Sequence, residues 1–183
     1  MSKLTPELRD QLSAHAIETI YWPRPAPRMV DNDNVAMYRA VAEAIGPGMP
    51  IVYLEFGVCQ GFSMSYIVNL FSHPESRFFG FDSFVGLPES WLHWEKGAFS
   101  ALGQEPRIDD PRVRFVRGWY QNSVPSALER LAIPLTHRVL VHFDSDSYFS
   151  TLFLLTTLWH RLDARGASLA VTSVSQSAPH VRT

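Results

Sequence analysis

Ile51-Val52-Tyr53-Leu54-Glu55-Phe56-Gly57-Val58-Cys59-Gln60-Gly61 decides the fold. An apolar run ends in an acid, and two glycines follow. Phe62-Ser63-Met64-Ser65-Tyr66-Ile67 then has helical spacing. The stretch reads as strand, tight glycine turn and helix. Glycines there let backbone approach a ligand where a Cβ would clash. The helix N-terminus offers unpaired N–H groups to polar ligand groups. Glu55 stands at the strand's carboxyl end, where open α/β sheets bind nucleotides. An acid at that place suits an amino-bearing ligand better than a pyrophosphate. The three-glycine dinucleotide fingerprint is absent. The bland alternative is an ordinary corner in which glycine serves packing.

The next acid shifts that balance. Arg77-Phe78-Phe79-Gly80-Phe81-Asp82 is a second short apolar strand, also ending in a carboxylate. An acid at the end of a neighbouring strand can accept the ribose hydroxyls of a nucleoside. Its plain reading is a helix cap or turn former.

The 183 residues are enough for one domain with a real core. Apolar residues make up 46% and charged residues 19%, which argues against disorder. Sixteen basic against eighteen acidic side chains give a formal charge of -2, with no basic excess to suggest nucleic acid. The single cysteine, Cys59, excludes an internal disulfide framework and fits a reducing compartment, so the cytoplasm is expected. Cys59 reads as a small loop residue rather than a nucleophile. The first residues do not form a signal peptide, and no apolar run approaches the roughly 20 residues of a membrane span.

Thr5-Pro6 marks a helix start, with Leu8, Leu12 and Ala16 on one face. Alternate prolines make Tyr21 to Arg28 an extended linker. Asp33 or Asn34 caps a second helix from Val35 to Ile45. Strands are expected over 51–56, 77–81, 113–116, 138–143 and 168–171. Helices are expected over 62–71, 123–131 and 148–162. This alternation predicts a parallel sheet covered on both faces by helices. Residues 83–111 are long for a connection and carry Phe84, Leu87, Trp91, Leu92, Trp94 and Phe99. They read as a lid or substrate wall, or as a small extra helix on the sheet edge.

Val139-Leu140-Val141-His142-Phe143-Asp144-Ser145-Asp146 ends the fourth strand with two further acids. Asp144 is a candidate general base for a hydroxyl, or a ligand for a hard cation such as Mg²⁺. Asp146 shares either task or caps the next helix. His142 reads as a hydrogen-bonded structural residue.

Four stretches together carry a family resemblance. They are Glu55-Phe56-Gly57-Val58-Cys59-Gln60-Gly61, Gly80-Phe81-Asp82-Ser83-Phe84-Val85-Gly86-Leu87-Pro88-Glu89, Gly118-Trp119-Tyr120 and His142-Phe143-Asp144-Ser145-Asp146-Ser147-Tyr148. In this order they resemble the macrocin O-methyltransferase type of class I methyltransferases, over roughly Ile51 to Ala167. The resemblance implies an α/β, Rossmann-like three-layer sandwich and S-adenosyl-L-methionine as cofactor. It implies that Glu55, Gly57 and Gly61 hold the methionine end and that Asp82 accepts the ribose hydroxyls. Ser83, Gly118 and Trp119 would flank the adenine. Asp144 would be a metal ligand, with the base that takes the acceptor's proton as its further role. The implied partner is a small hydroxylated acceptor such as a sugar, with neither nucleic acid nor membrane, and with a homo-oligomer left open.

The chain also departs from the pattern. Where the family carries a further acidic pair after its fifth strand, Thr172 and Ser173 stand here. The tail from Val174 lacks apolar periodicity, and the closing helix and strands of the fold are missing. A shortened or frame-shifted chain with impaired activity is the expectation. One domain over 1–183 is expected, with 1–46 as an N-terminal helical extension and 50–173 as the core. The rivals are a non-catalytic S-adenosylmethionine-binding or interaction protein and, ranked lower, a nicotinamide enzyme.

Overall fold

The computed structural model describes residues 34–91, 94–145, 147–162 and 169–173, with backbone alone at 159–162 and 169–173. The helix expected around Leu8 to Ala16, the proline linker, Leu92, Asp146 and the tail after 173 lie outside the described residues. The elements are α1 (Asn34–Ile45), β1 (Ile51–Phe56), α2 (Phe62–Leu70), β2 (Arg77–Asp82), β3 (Val113–Arg117), α3 (Tyr120–Arg130), β4 (Arg138–Phe143), α4 (Tyr148–Leu162) and β5 (Leu169–Ser173).

The five strands form one sheet in the order β3-β2-β1-β4-β5, and all four pairings are parallel. β1 is central and buried at every position, as its unbroken apolar run requires. Alternate side chains feed two cores. Ile51, Tyr53, Phe78 and Leu140 meet Tyr38 and Ala42 of α1 and Met64 and Ile67 of α2. Val52, Leu54, Phe56, Val139 and Val141 meet Val124 and Leu128 of α3 and Leu154 and Leu158 of α4. The result is the expected Rossmann-like three-layer arrangement. α1, expected as part of an N-terminal extension, packs into the first of these cores.

Three phenylalanines line up just inside the carboxyl edge. Phe56 is the register partner of Phe81 on one side and Phe143 on the other. Its ring lies 4.8 Å from that of Phe81 and 5.6 Å from that of Phe143, both nearly parallel. Each such burial stabilises the fold by about 1.5–3 kcal/mol, with an added aromatic contribution. This row fixes the level of the strand ends from which the acids project.

α3 begins at Tyr120, three residues before the expected start, because the Trp119 carbonyl accepts the N–H groups of Asn122 and Ser123. Pro125 therefore sits inside the helix and not in its first turn.

At the opposite edge, Arg112 ties α2 to β3. Its guanidinium donates to Asp110 and to the carbonyls of Phe71, His73 and Val68, at 2.6–3.2 Å. It also lies 5.0 Å over the Phe78 ring. Arg112→Met is expected to lower stability by about 2 kcal/mol, since it strands a carboxylate and helix-end carbonyls. A urea midpoint unchanged from wild type would contradict that role.

Candidate functional site

Strand order reverses between β1 and β4, which start crossovers to opposite sides of the sheet. A crevice outside the carboxyl ends at this point is the standard ligand position of open α/β sheets. Two loops frame it. The Asp144 N–H donates to the Phe56 carbonyl at 2.8 Å, and the Gly57 N–H to the Phe81 carbonyl at 3.0 Å. Gly57 has φ +99, and a Cβ there would lie 2.3 Å from the Asp144 carbonyl oxygen. The glycine is thus demanded by the neighbouring loop as well as by its backbone angle. Gly61 caps α2 with φ +81, and a Cβ on it would strike Pro106 at 2.7 Å. Both glycines were expected to make room for a ligand. Their immediate neighbours are protein.

Glu55 has no solvent exposure. The Ser63 hydroxyl, in the first turn of α2, donates to its Oε1. Its Oε2 has no hydrogen-bond partner among the described residues. The nearby Tyr53 hydroxyl is joined to His142 Nδ1 at 2.9 Å. Burial pushes the Glu55 carboxyl up to about 8, against the Ser63 and Tyr53 hydroxyls, and the Asp144 and Asp82 charges push the same way as burial. His142, its β4 register partner, is driven down to about 4 by burial and is neutral. His142 packs between Tyr38 and Tyr53, and its Nε2, like Glu55 Oε2, has no hydrogen-bond partner among the described residues. A buried acid with one orphaned oxygen beside a helix N-terminus is chemically suited to an ammonium group.

Asp82 ends β2 and makes three contacts with backbone. The N–H groups of Val58 and Cys59 donate to Oδ2 at 2.8 and 2.7 Å, and that of Phe84 to Oδ1 at 2.7 Å. Ser83 shapes the following turn: its hydroxyl accepts the Val85 N–H and donates to the Gly86 carbonyl, both at 3.3 Å. The Gly118 N–H donates to the Asp82 carbonyl at 2.9 Å, and Gly118 has φ +140. Trp119 follows, exposed, as the cap of α3. Thus Glu55, Gly57, Gly61, Asp82, Ser83, Gly118, Trp119 and Asp144 all stand at one sheet edge. Asp146 lies outside the described residues.

The long connection, 83–111, contains no helix among its described residues, so the small extra helix is not found. It is held by backbone bonds from Gly103 to Phe84 and from Leu87 to Ala98. Phe84 is buried against Phe115, and Pro106 abuts the Gly61 turn. The segment packs beside the carboxyl-edge loops, with Trp94 and Phe99 in ring contact at 4.7 Å.

Among the described residues no group of three His, Cys, Asp or Glu side chains is placed to hold a metal. Backbone register sets Thr172 beside His142 and Ser173 beside Phe143, one strand from Asp144. Hydroxyls replace carboxylates poorly around Mg²⁺. The described donors do not make a Mg²⁺ site. Nor is any described helix long and apolar enough to cross a membrane. A cleft of about 500 Å³ at the amino-terminal edge is lined by Arg77, Arg112 and His137, whose polar groups are hydrogen-bonded within the protein.

No family model matches the chain. It is 26% identical to an 8-demethyl-8-(2,3-dimethoxy-alpha-L-rhamnosyl)-tetracenomycin-C 4'-O-methyltransferase of Streptomyces olivaceus, covering 79% of this chain and 62% of that protein. It is 25% identical, with the same coverage, to a demethyldecarbamoylnovobiocin O-methyltransferase of Streptomyces niveus. The chain thus spans about 62% of the length of these relatives. Among solved structures, the O-methyltransferase NovP superposes with a TM-score of 0.52 at 23% identity, covering 76% of this chain and 64% of NovP. CalS11, a TDP-rhamnose 3'-O-methyltransferase, gives 0.51 at 20%, covering 94% and 80%. These agree with the resemblance read from the sequence and with its Rossmann-like fold.

Proposed function

We propose that this chain is an S-adenosylmethionine-dependent O-methyltransferase acting on a hydroxyl of a sugar or a similar small molecule. The observation that carries the reading is Glu55, a buried acid with an orphaned oxygen at the reversal point of the sheet. Glu55 and the first turn of α2 would receive the ammonium and carboxylate of the methionine end. Asp82, Ser83, Gly118 and Trp119 form the nucleoside side of the same crevice. Bound there, the cofactor supplies a methyl group already activated on sulfonium. The chain's own task is then to align an acceptor hydroxyl and take its proton. Asp144, at the end of β4, is the carboxylate assigned to that proton. The sugar-modifying names of the relatives point to a hydroxylated acceptor.

The test is transfer of labelled methyl from S-adenosylmethionine to a panel of free and nucleotide-linked sugars. Label should appear in at least one acceptor. Asp144→Asn should slow its appearance by about a hundredfold, the usual scale for losing a general base. A cofactor-binding protein that labels no acceptor would remove the enzymatic part of the reading.

A further inference from the structure

We infer that Asp82 is a positioning residue: its carboxylate locks the glycine turn to the root of the long connection before any ligand arrives. The expected duty of an acid here is to accept both ribose hydroxyls. The geometry leaves little capacity for that. A carboxylate offers about four acceptor positions on its two oxygens. Three backbone N–H groups already occupy Asp82: Val58 and Cys59 on Oδ2, Phe84 on Oδ1, all at 2.7–2.8 Å.

Those three donors belong to two segments, which backbone bonds such as Gly61 N–H to the Val58 carbonyl and Gly103 N–H to the Phe84 carbonyl brace separately, and Asp82 joins the two. Val58 and Cys59 form the turn between β1 and α2, in which Cys59 has φ +49. A non-glycine residue there is strained and needs outside support. Phe84 starts the connection and also has positive φ, at +60. Further along it, the Phe99 carbonyl accepts the Cys59 thiol at 3.3 Å. One carboxylate therefore fixes the turn, the turn touches the connection, and the connection is rooted on the same carboxylate. Charge-assisted bonds to backbone N–H groups are the stronger kind. Ser83 and Gly118 need no part in this clamp.

The inference rests on the proposed cofactor site for its purpose, but its first tests need no cofactor. In the unliganded wild-type protein, the Val58, Cys59 and Phe84 amides should exchange with solvent as slowly as the Gly57 amide. Exchange at open-loop rates would overturn the clamp. Cys59 is the single cysteine and sits within the turn, so its alkylation rate reports turn opening. Asp82→Asn keeps the shape but points an amide N–H at backbone donors. It should speed alkylation about tenfold or more, the scale of a lost charged hydrogen bond. An unchanged rate in a folded variant would overturn the inference.

A third test separates clamping from ribose recognition. Wild type and Asp82→Asn are titrated with S-adenosylhomocysteine and with its analogue lacking both ribose hydroxyls. A clamp predicts that the substitution weakens both ligands by the same factor. A penalty confined to the hydroxyl-bearing ligand would make Asp82 a ribose acceptor and contradict the clamp. Failure of the wild-type protein to bind any cofactor form would count against the cofactor reading, while exchange and alkylation still decide the clamp.

Discussion

Gly57→Ala is expected to destabilise the protein by about 3 kcal/mol and to abolish cofactor binding. The added Cβ would lie 2.3 Å from the Asp144 carbonyl oxygen and 2.7 Å from its carbon, both backbone atoms with no side-chain freedom to yield. The residue also has φ +99, which side chains resist. Two comparisons separate these causes. Gly97→Ala has φ +85 but nothing within 4 Å, so it should show the conformational cost alone, about 1 kcal/mol. Gly48→Ala meets nothing and has no positive φ, so its urea midpoint should stay at the wild-type value. If Gly57→Ala and Gly97→Ala were equally destabilised, the close approach of the β1 and β4 loops would not be the reason for the glycine.

Glu55→Gln is expected to be more stable than wild type above pH 8 and similar to it near pH 5. Burial raises the folded carboxyl from 4.5 to about 8. Between those values the folded state holds a proton that the unfolded state has released, so wild-type stability falls as pH rises. The contribution is complete below about 4.5 and is lost as pH passes through about 8. The integrated effect is a few kcal/mol, and the amide, which cannot ionise, escapes it. Tyr38, Tyr53 and His142 face the same pocket, with Asp82 and Asp144 nearby. His142 works in the opposite sense, losing its stabilising contribution as pH falls from about 6.5 through about 4. The difference between wild type and Glu55→Gln removes the His142 contribution to first order. Parallel stability profiles across pH 5–9 would show that Glu55 is not held neutral.

The same physics gives a ligand effect. An ammonium set beside Oε2 stabilises the ionised carboxylate, so saturating cofactor should flatten the wild-type profile. Glu55→Gln should bind the amino acid end more weakly while gaining stability in the empty state. A residue kept only for packing would not show gain and loss together.

Much of this architecture was legible because the strands are short apolar runs ending in acids. Glu55, Asp82 and Asp144 each mark a carboxyl end, and parallel order brings those ends to one edge. Less legible were features that depend on sheet order. The contacts of Asp82 with Val58 and Cys59 need β2 beside β1, a placement periodicity alone does not give. The same holds for Phe56, Phe81 and Phe143, whose stacking could have been suggested by aligning the three strand ends. Ser63 follows Glu55 across one tight turn, so a hydroxyl in the first helical turn was an available signal for its partner. Gly57 and Gly61 were readable as required glycines, but the atoms requiring them, in Asp144 and Pro106, come from distant sequence. The start of α3 at Tyr120 was less legible, because the Trp119 carbonyl that sets it leaves no mark in the apolar pattern.

The most direct measurement is calorimetric titration of S-adenosylmethionine, and of S-adenosylhomocysteine, into the folded protein. The account predicts saturable binding at one site, lost in Gly61→Val, where a side chain would drive into Pro106, and weakened in Glu55→Gln. Absence of any binding heat from a folded sample at high ligand concentration, across several temperatures, would contradict it.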